Sequence, residues 1–256
     1  MIVAMIQARM QSERLCGKIE ALINGKPMLQ HVYNAAVNAK MVDKVVIAAT
    51  EDMDGDMARL CDFIGAEYYF GSENDVLSRY IDCINHLELS DDDIIVRLTG
   101  DCPMIPPDVI DMVVSQYKSY NVDYAANVFY PQARTFPRGY DVEVMSVGVL
   151  RLSNQYALAP FFREHISQFI WYGHDEMDIK IRIVQTHPNY SHLRLTVDTQ
   201  EDLEAVRAIY ASYNVDDLPW TNLLPLIDKN EDLRWLDKGK QKDSNDSIEP
   251  EQEETP

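Results

Sequence analysis

Four short apolar runs, each followed by a stretch with helical spacing, occupy the first 120 residues of this 256-residue chain. That alternation predicts βα units joined into an open, mostly parallel sheet. Strands are expected over residues 2–7, 45–49, 67–70 and 94–98. Helices are expected over 27–39, with Pro27 at its start and Leu29, Val32, Tyr33 and Ala36 on one face, and over 54–64, closed by Gly65. A third should run from its Asp75 cap to about residue 86, and a fourth over 108–120 behind Pro106-Pro107. The second half is less regular. It reads as strands over 124–127, 141–145, 180–184 and 193–197, a Pro- and aromatic-containing loop over 129–138, and helices over 147–156 and 161–172. A strong helix over 201–213 follows Asp198-Thr199, and 220–236 holds a terminal helix or two. Residues 1–237 are expected to form one domain. Residues 238–256 are charged, poor in apolar side chains and expected to be a disordered acidic tail.

The first strand carries the most chemical information. Ile2-Val3-Ala4-Met5-Ile6 passes into Gln7-Ala8-Arg9-Met10-Gln11-Ser12-Glu13-Arg14-Leu15-Cys16-Gly17-Lys18. Three cations thus follow a buried strand, and the carboxyl edge of an open sheet is where such a loop meets ligands. Arginine forks and a lysine point charge suit phosphate oxygens. The loop has neither GxxxxGK[ST] nor GxGxxG spacing, so it is not one of those phosphate loops. The alternative reading is a basic surface loop.

Charge sharpens this. The formal net charge is −19, and the last twenty residues contribute only −4 of it. Such a chain repels nucleic acid and anionic membrane, and no basic face offsets the repulsion. An anionic ligand needs a local cationic strip, which Arg9, Arg14, Lys18 and Lys26 supply, and a divalent metal. The apolar N-terminal run is too short for a signal segment or a membrane span, so a soluble cytoplasmic protein is expected. Cys16, Cys61, Cys83 and Cys102 share no CxxC spacing and read as reduced thiols.

Two further stretches end an apolar run on a carboxylate. Val96-Arg97-Leu98-Thr99-Gly100-Asp101-Cys102-Pro103 aims Asp101 at the same sheet edge, and a hard oxygen beside phosphate is a Mg²⁺ ligand. Leu193-Arg194-Leu195-Thr196-Val197-Asp198-Thr199 does the same with Asp198, although Asp198 or Thr199 could simply cap the next helix. Either acid alone reads as structural. Together with the cationic loop they read as a metal–triphosphate site.

In this order the three motifs resemble the cytidylyltransferase family of the spore-coat polysaccharide biosynthesis type, related to the synthetases of CMP-3-deoxy-manno-octulosonate and CMP-sialic acids. The opening resembles A-R-x-x-S-x-R-L-P-G-K, with Cys16 in place of Pro and Glu13 set between the cations. Gly25-Lys26-Pro27-Met28-Leu29 resembles G-K-P-L-L. Residues 71–80 resemble G-S-x-x-D-V-L-x-R-Y, and Thr99–Pro103 match T-G-D-C-P. Asp141-Val142-Glu143-Val144 resembles D-V-E-V, Arg163-Glu164-His165-Ile166 resembles R-E-H-V, and residues 195–203 resemble L-T-V-D-T-x-E-D-L. The resemblance spans about residues 2–210.

It implies a three-layer α/β/α sandwich of the nucleotide-diphospho-sugar transferase, Rossmann-like fold. It implies a CTP-dependent transfer of CMP to a sugar, with release of pyrophosphate, in cell-surface or spore-coat polysaccharide or glycan synthesis. By motif position Ala8, Arg9, Ser12, Arg14, Lys18, Asn74 and Asp101 would meet the nucleotide. Arg14, Lys18 and Asp101 would serve catalysis, and Asp101 and Asp198 would hold Mg²⁺. Arg138, Tyr140 and His165 are candidate contacts to an acidic sugar, with His192 and Arg194 behind them. For His165 the competing reading is a half-buried helix histidine, and Asp141 and Glu143 could be structural. A homodimer is the corresponding assembly, with 141–165 as subunit contact or sugar lid. Two rivals stand beside this reading. One is a transferase using another nucleoside triphosphate or a sugar 1-phosphate. The other is a nucleotide-sugar-binding protein without turnover, against which the intact Arg14, Lys18, Asp101 and Asp198 argue.

Overall fold

The computed structural model describes residues 1–12, 14–50, 55–128, 134–173, 175, 177–230 and 233. Strand β1 (Ile2–Ala8) leads through a 3₁₀ turn (Lys18–Glu20) into a two-rung hairpin of β2 (Leu22–Ile23) and β3 (Lys26–Pro27). Then follow α1 (Met28–Asn38), β4 (Lys44–Thr50), α2 (Asp56–Ile64), β5 (Glu67–Gly71), α3 (Val76–His86), β6 (Ile94–Thr99) and α4 (Pro107–Tyr120). The second half comprises β7 (Tyr124–Ala126), β8 (Glu143–Ser146), α5 (Val147–Tyr156), α6 (Pro160–Glu164), α7 (Ile166–Gly173), β9 (Ile181–Ile183), α8 (Gln200–Ser212) and α9 (Trp220–Lys229).

The main sheet has seven strands in the order β5-β4-β1-β6-β8-β7-β9. Strands β5, β4, β1 and β6 are mutually parallel, β8 runs antiparallel to both its neighbours, and β9 is parallel to β7. Central strands are apolar on both faces, and their side chains sort with period two. Ala4, Ile6, Ile47, Ala49, Val96 and Leu98 join one core with residues of α1, α2, α4, α8 and α9. Val3, Met5, Val46, Ala48 and Ile95 join another with residues of α3, α5 and α7. Two cores on the two faces of one sheet make the expected α/β/α sandwich.

The strand order reverses at β1. After β1 the chain moves outward to β4 and β5, then returns to place β6 on the other side. The loops leaving β1 and β6 therefore diverge at their carboxyl ends and open a crevice, as open α/β sheets do at a switch point.

Local signals set most boundaries. Asp75 caps α3 by accepting from the Ser78 N–H at 2.8 Å, Gly65 closes α2 at φ +72°, and Thr199 with Asp202 forms a capping box on α8. Helix α2 starts at Asp56 behind Gly55, and residue 54 lies outside the described residues.

Two expected elements differ. The helix expected over 161–172 is two helices broken at His165, whose φ −106° and ψ 74° are not helical. The strand expected over 193–197 does not join the sheet. Its residues alternate buried and half-buried as a strand's would, but its N–H groups go to loops: Leu195 to the Arg138 carbonyl at 2.7 Å and Val197 to the Asp101 carbonyl at 2.9 Å. Residues 129–133 of the expected loop, most of 231–236 and the acidic tail lie outside the described residues. All four cysteines are free. Among the described residues no helix is long and apolar enough to cross a membrane.

Gly139 holds the extended 193–197 segment against the sheet edge. Its φ is +99°, and a Cβ there would lie 2.6 Å from the Leu195 carbonyl carbon and from the Thr196 nitrogen. Gly139→Ala is expected to cost about 2 kcal/mol or more, from strain and overlap with backbone that cannot retreat. Urea denaturation checks this, and a wild-type midpoint would contradict the close approach.

Candidate active site

The loop after β1 folds back on itself. Gly17 N–H bonds to the Met10 carbonyl, Lys18 N–H to the Leu15 carbonyl, and Gly17 takes φ +65° to enter the 3₁₀ turn. Ile19 is buried beneath it and fixes where Lys18 points. On the neighbouring strand, the Gly100 N–H donates to the Gln7 carbonyl at 2.9 Å. Residue 100 is pressed against Leu29 and the Gln7 carbonyl, where an added Cβ would sit 3.2–3.3 Å away. The glycine thus lets β6 turn tightly and deliver Asp101 beside Lys18.

The Lys18 ammonium donates to Asp101 Oδ2, Asp198 Oδ1 and the Val197 carbonyl, each at 3.0 Å. Three donors meet three acceptors, so the group is fully satisfied. Asp198 is further held by Arg14 at 3.1 Å and Arg194 at 2.6 Å. Arg194 also reaches Asp202 at 3.2 Å, and the other Asp202 oxygen accepts the N–H groups of Asp198 and Thr199 at 2.9 Å. The Asp101 carbonyl accepts from Val197 N–H and Thr196 Oγ1. The motifs around Lys18, Asp101 and Asp198 therefore form one polar network.

The charges tune one another. Burial alone would raise the Asp101 carboxyl, but the Lys18 ammonium and its hydrogen bond outweigh it and hold the pKa below 3.8. Burial alone would lower Lys18, but Asp101 and Asp198 outweigh it and raise the ammonium above 10.5.

These groups line a cleft of about 800 Å³. Of the residues singled out in the sequence, Ala8, Arg9, Ser12, Arg14, Lys18, Asp101, Arg138, His165 and Asp198 all border it, as does Arg194. Asn74 does not. It is exposed, and its neighbours Glu73 and Val76 face the cleft instead. Tyr140 does not either. The chain around Gly139 sends Arg138 and Asp141 to the cleft and buries Tyr140 completely, beside a different cavity. His192 pairs with Asp228 and lies outside the cleft lining. His165 is reached by the helix break. It packs edge-on against Phe161, and burial pushes its pKa below 6.5, so it is neutral at pH 7.

Sequence reasoning missed two arginines. Arg97, on β6, ion-pairs with Glu143 on β8 and donates to Gln7. Glu143 also accepts from Tyr124, which accepts from the Trp171 indole, tying the cleft floor to α7. Arg79, on α3, is 2% exposed. Its Nη1 donates to the Ser72 carbonyl at 2.9 Å, its Nε has no partner, and no carboxylate among the described residues lies within ion-pair distance. Burial, with Arg9 and Arg97 pushing the same way, lowers its pKa. The signal for it was present: an arginine inside an otherwise amphipathic helix at a position that points inward. Its neighbours in the motif are structural, since Asp75 caps α3 and also pairs with Arg163, stapling α6 to α3.

Among the described residues no group of three or more His, Cys, Asp or Glu gathers as a metal cage. Asp101 and Asp198 offer two hard carboxylates on one cation. This donor set fits a Mg²⁺ that takes its other ligands from phosphate and water.

A Rossmann-like sandwich whose switch-point cleft sets a cationic loop against the paired carboxylates of Asp101 and Asp198 has the architecture of a nucleotidyltransferase. The chain belongs to the cytidylyltransferase family, whose model matches residues 3–217. It is 28% identical over 240 residues to the spore coat polysaccharide biosynthesis protein SpsF of Bacillus subtilis, covering 90% of this chain and 95% of that one. It is 29% identical over 217 residues to the 8-amino-3,8-dideoxy-manno-octulosonate cytidylyltransferase of Shewanella baltica, covering 81% and 78%. A solved cytidylyltransferase from Leptospira borgpetersenii superposes with a TM-score of 0.81 at 30% identity, covering 91% and 95%.

The pKa shifts fix a stability profile. The depressed Asp101 carboxyl contributes stability that is full above its ordinary pKa of 3.8 and lost as pH falls through the folded value. The raised Lys18 ammonium contributes below 10.5 and is lost as pH rises through its folded value. In Lys18→Met the ammonium and its hydrogen bond no longer oppose burial, so the Asp101 pKa is expected to rise, with the Thr99 and backbone hydrogen bonds still acting to lower it. The variant is expected to lose about 3 kcal/mol at pH 7, and less at pH 4, where more of Asp101 is protonated than at pH 7. Urea titrations at the two pH values check this; an unchanged gap would contradict the pairing.

Proposed function

We propose that this protein transfers CMP from CTP to a hydroxyl of an acidic sugar and releases pyrophosphate, as a step in making a cell-surface polysaccharide or glycan. The observation that carries this is the convergence of the β1 loop, Asp101 and Asp198 on one cleft, in a chain of the cytidylyltransferase family. The relatives named above act in spore-coat polysaccharide synthesis or on an amino-dideoxy-octulosonate, and their names supply the substrate class.

The chemistry needs positioning and charge neutralisation more than covalent help. A sugar oxygen bonds to the α-phosphorus, the bond from that phosphorus to the α–β bridging oxygen breaks so that pyrophosphate leaves, and the hydroxyl proton passes to solvent water. Arg14 and Lys18 balance charge on the departing pyrophosphate, assisted by Arg9 and Ser12. Asp101 and Asp198 would hold Mg²⁺, which when bound polarises the α-phosphate and lowers the pKa of the attacking hydroxyl. Arg79 would pair with a substrate anion, because a guanidinium buried without a carboxylate is otherwise costly to keep. Neutral His165 can donate to or accept from a sugar hydroxyl, and Arg138, on the same cleft lining, can meet its carboxylate.

Pyrophosphate release from CTP, UTP, ATP and GTP, each paired with 3-deoxy-manno-octulosonate, its 8-amino analogue and neutral sugar 1-phosphates, tests the reading. Release is expected with CTP and a 2-keto acidic sugar, abolished by EDTA, and reduced at least roughly a hundredfold in folded Asp101→Asn. Equal turnover with another triphosphate, or with a sugar 1-phosphate, would overturn the substrate assignment. CTP binding without release across the panel would favour a non-catalytic binding protein.

A further inference from the structure

One stretch of surface is apolar on a chain that is otherwise acidic. Residues 152–173 hold one arginine and one glutamate in a chain of net charge −19. Both are engaged elsewhere: Arg163 holds Asp75, Asn154 and the Ala157 carbonyl, and Glu164 borders the cleft. What faces solvent is aromatic and aliphatic. Tyr156 is 56% exposed, Leu158 83% and Tyr172 49%. Helix α6 buries none of its residues, although two of its five are phenylalanines. Phe162 meets Phe161, Phe169 and Tyr172 with ring centroids 5.4, 5.6 and 6.2 Å away, which joins α6 and α7 into one aromatic face. Helix α7 has no charged residue and buries only Ile166, Ser167 and Ile170. A helix this apolar around its circumference is normally covered, and contiguous exposed apolar surface marks a site of contact.

Charge decides what covers it. A basic protein would dock on the acidic surface instead, and nucleic acid or anionic membrane is repelled. Residues 238–256 of the chain itself carry one large apolar side chain, Ile248, too little to cover an aromatic face. A second copy fits. Two molecules of charge −19 repel across most of their surfaces, and this uncharged face lets them meet without bringing carboxylates together. A two-fold contact needs a face that complements itself, and aromatic side chains are enriched at the cores of such contacts. Exposed acids begin directly beyond the face, at Asp175 and Asp178, where they form a charged rim.

We propose that the α6–α7 face, flanked by Tyr156 and Leu158, is the contact between two copies of this chain related by a two-fold axis. Of the 141–165 stretch expected at a subunit contact, residues 142–145 are buried within the fold and take no part. The contact falls on elements that reach the cleft. His165, at the break between α6 and α7, borders it. The Trp171 indole of α7 leads through Tyr124 and Glu143 to Arg97, which also borders it. A second copy packed on α6 and α7 therefore holds that side of the cleft in place.

Sedimentation equilibrium of the full chain tests this. The expected mass is twice the 29.4 kDa of one chain. Raising NaCl from about 50 mM to about 500 mM should tighten the dimer, because salt screens the repulsion between acidic chains and leaves an uncharged contact intact. Leu158→Lys and Tyr172→Lys, both at exposed positions, set like charges against each other in the contact and are each expected to weaken dimerisation at least about tenfold. Phe63→Lys, at an exposed apolar site on α2 across the sheet, should leave it unchanged. Hydrogen exchange reads the same face without a variant: wild-type amides in residues 160–173 should exchange faster on dilution below the dissociation constant. A wild-type monomer at about 100 µM, a concentration that would populate even a weak dimer, would overturn the proposal. So would a dimer loosened by salt, one that both lysine variants leave intact, or exchange in residues 160–173 that ignores dilution.

Discussion

The ammonium of Lys18 is the point on which the site depends. Its three partners come from loops 83 and about 180 positions away in sequence, and it draws them to one place at the end of β1. Without a cation there, two partly buried carboxylates would face each other in a chain that already carries a charge of −19. With it, Asp101 stays ionised despite burial, and the extended 193–197 segment is pinned across the Asp101 backbone. The same segment runs directly into the capping box of α8, so the helix end and the polar network share Asp202. Stability and ligand readiness therefore rest on the same few ion pairs.

The cations of the cleft fall into two groups. Lys18 and Arg194 each bridge two carboxylates, Arg14 leans on Asp198, and Arg97 is matched to Glu143. Arg79 is buried without such a match. On the proposed function, a triphosphate in this cleft would meet carboxylates as well as cations, and an accompanying divalent ion would relieve the repulsion. On the same reading Arg79 would be a second anion-recognising point, on the α3 side.

Much of this was legible in the chain because strong local rules agreed with the tertiary outcome. Apolar runs became the four parallel strands, and Asp75, Gly65 and Thr199 with Asp202 ended or began helices as their chemistry favours. The motifs at Arg9–Lys18, Asp101 and Asp198 met because the sheet's switch point lies between β1 and β6, a topological consequence of the βα pattern. Failures came where tertiary contacts decide. The Leu193–Val197 alternation is strand-like, but the partners of its backbone are loops, which periodicity cannot reveal. The 161–172 periodicity passes smoothly through His165, yet the chain breaks there to turn His165 and Glu164 into the cleft. Tyr140 was paired with Arg138 by proximity in sequence, but Gly139 at φ +99° separates their directions. Arg79 lies at an inward position of its amphipathic helix, and its burial without a carboxylate shows what that position means.

Backbone amide shift mapping on addition of CTP with Mg²⁺ addresses the central claim most directly. The account expects perturbations concentrated in the Ala8–Lys18 loop, at Gly100 to Cys102 and at Thr196 to Thr199, with Pro103–Asp108 and the α8–α9 connection moving little. Perturbations confined to residues outside the cleft, or the same pattern and affinity with CTP and Mg²⁺ in Lys18→Met, would contradict it.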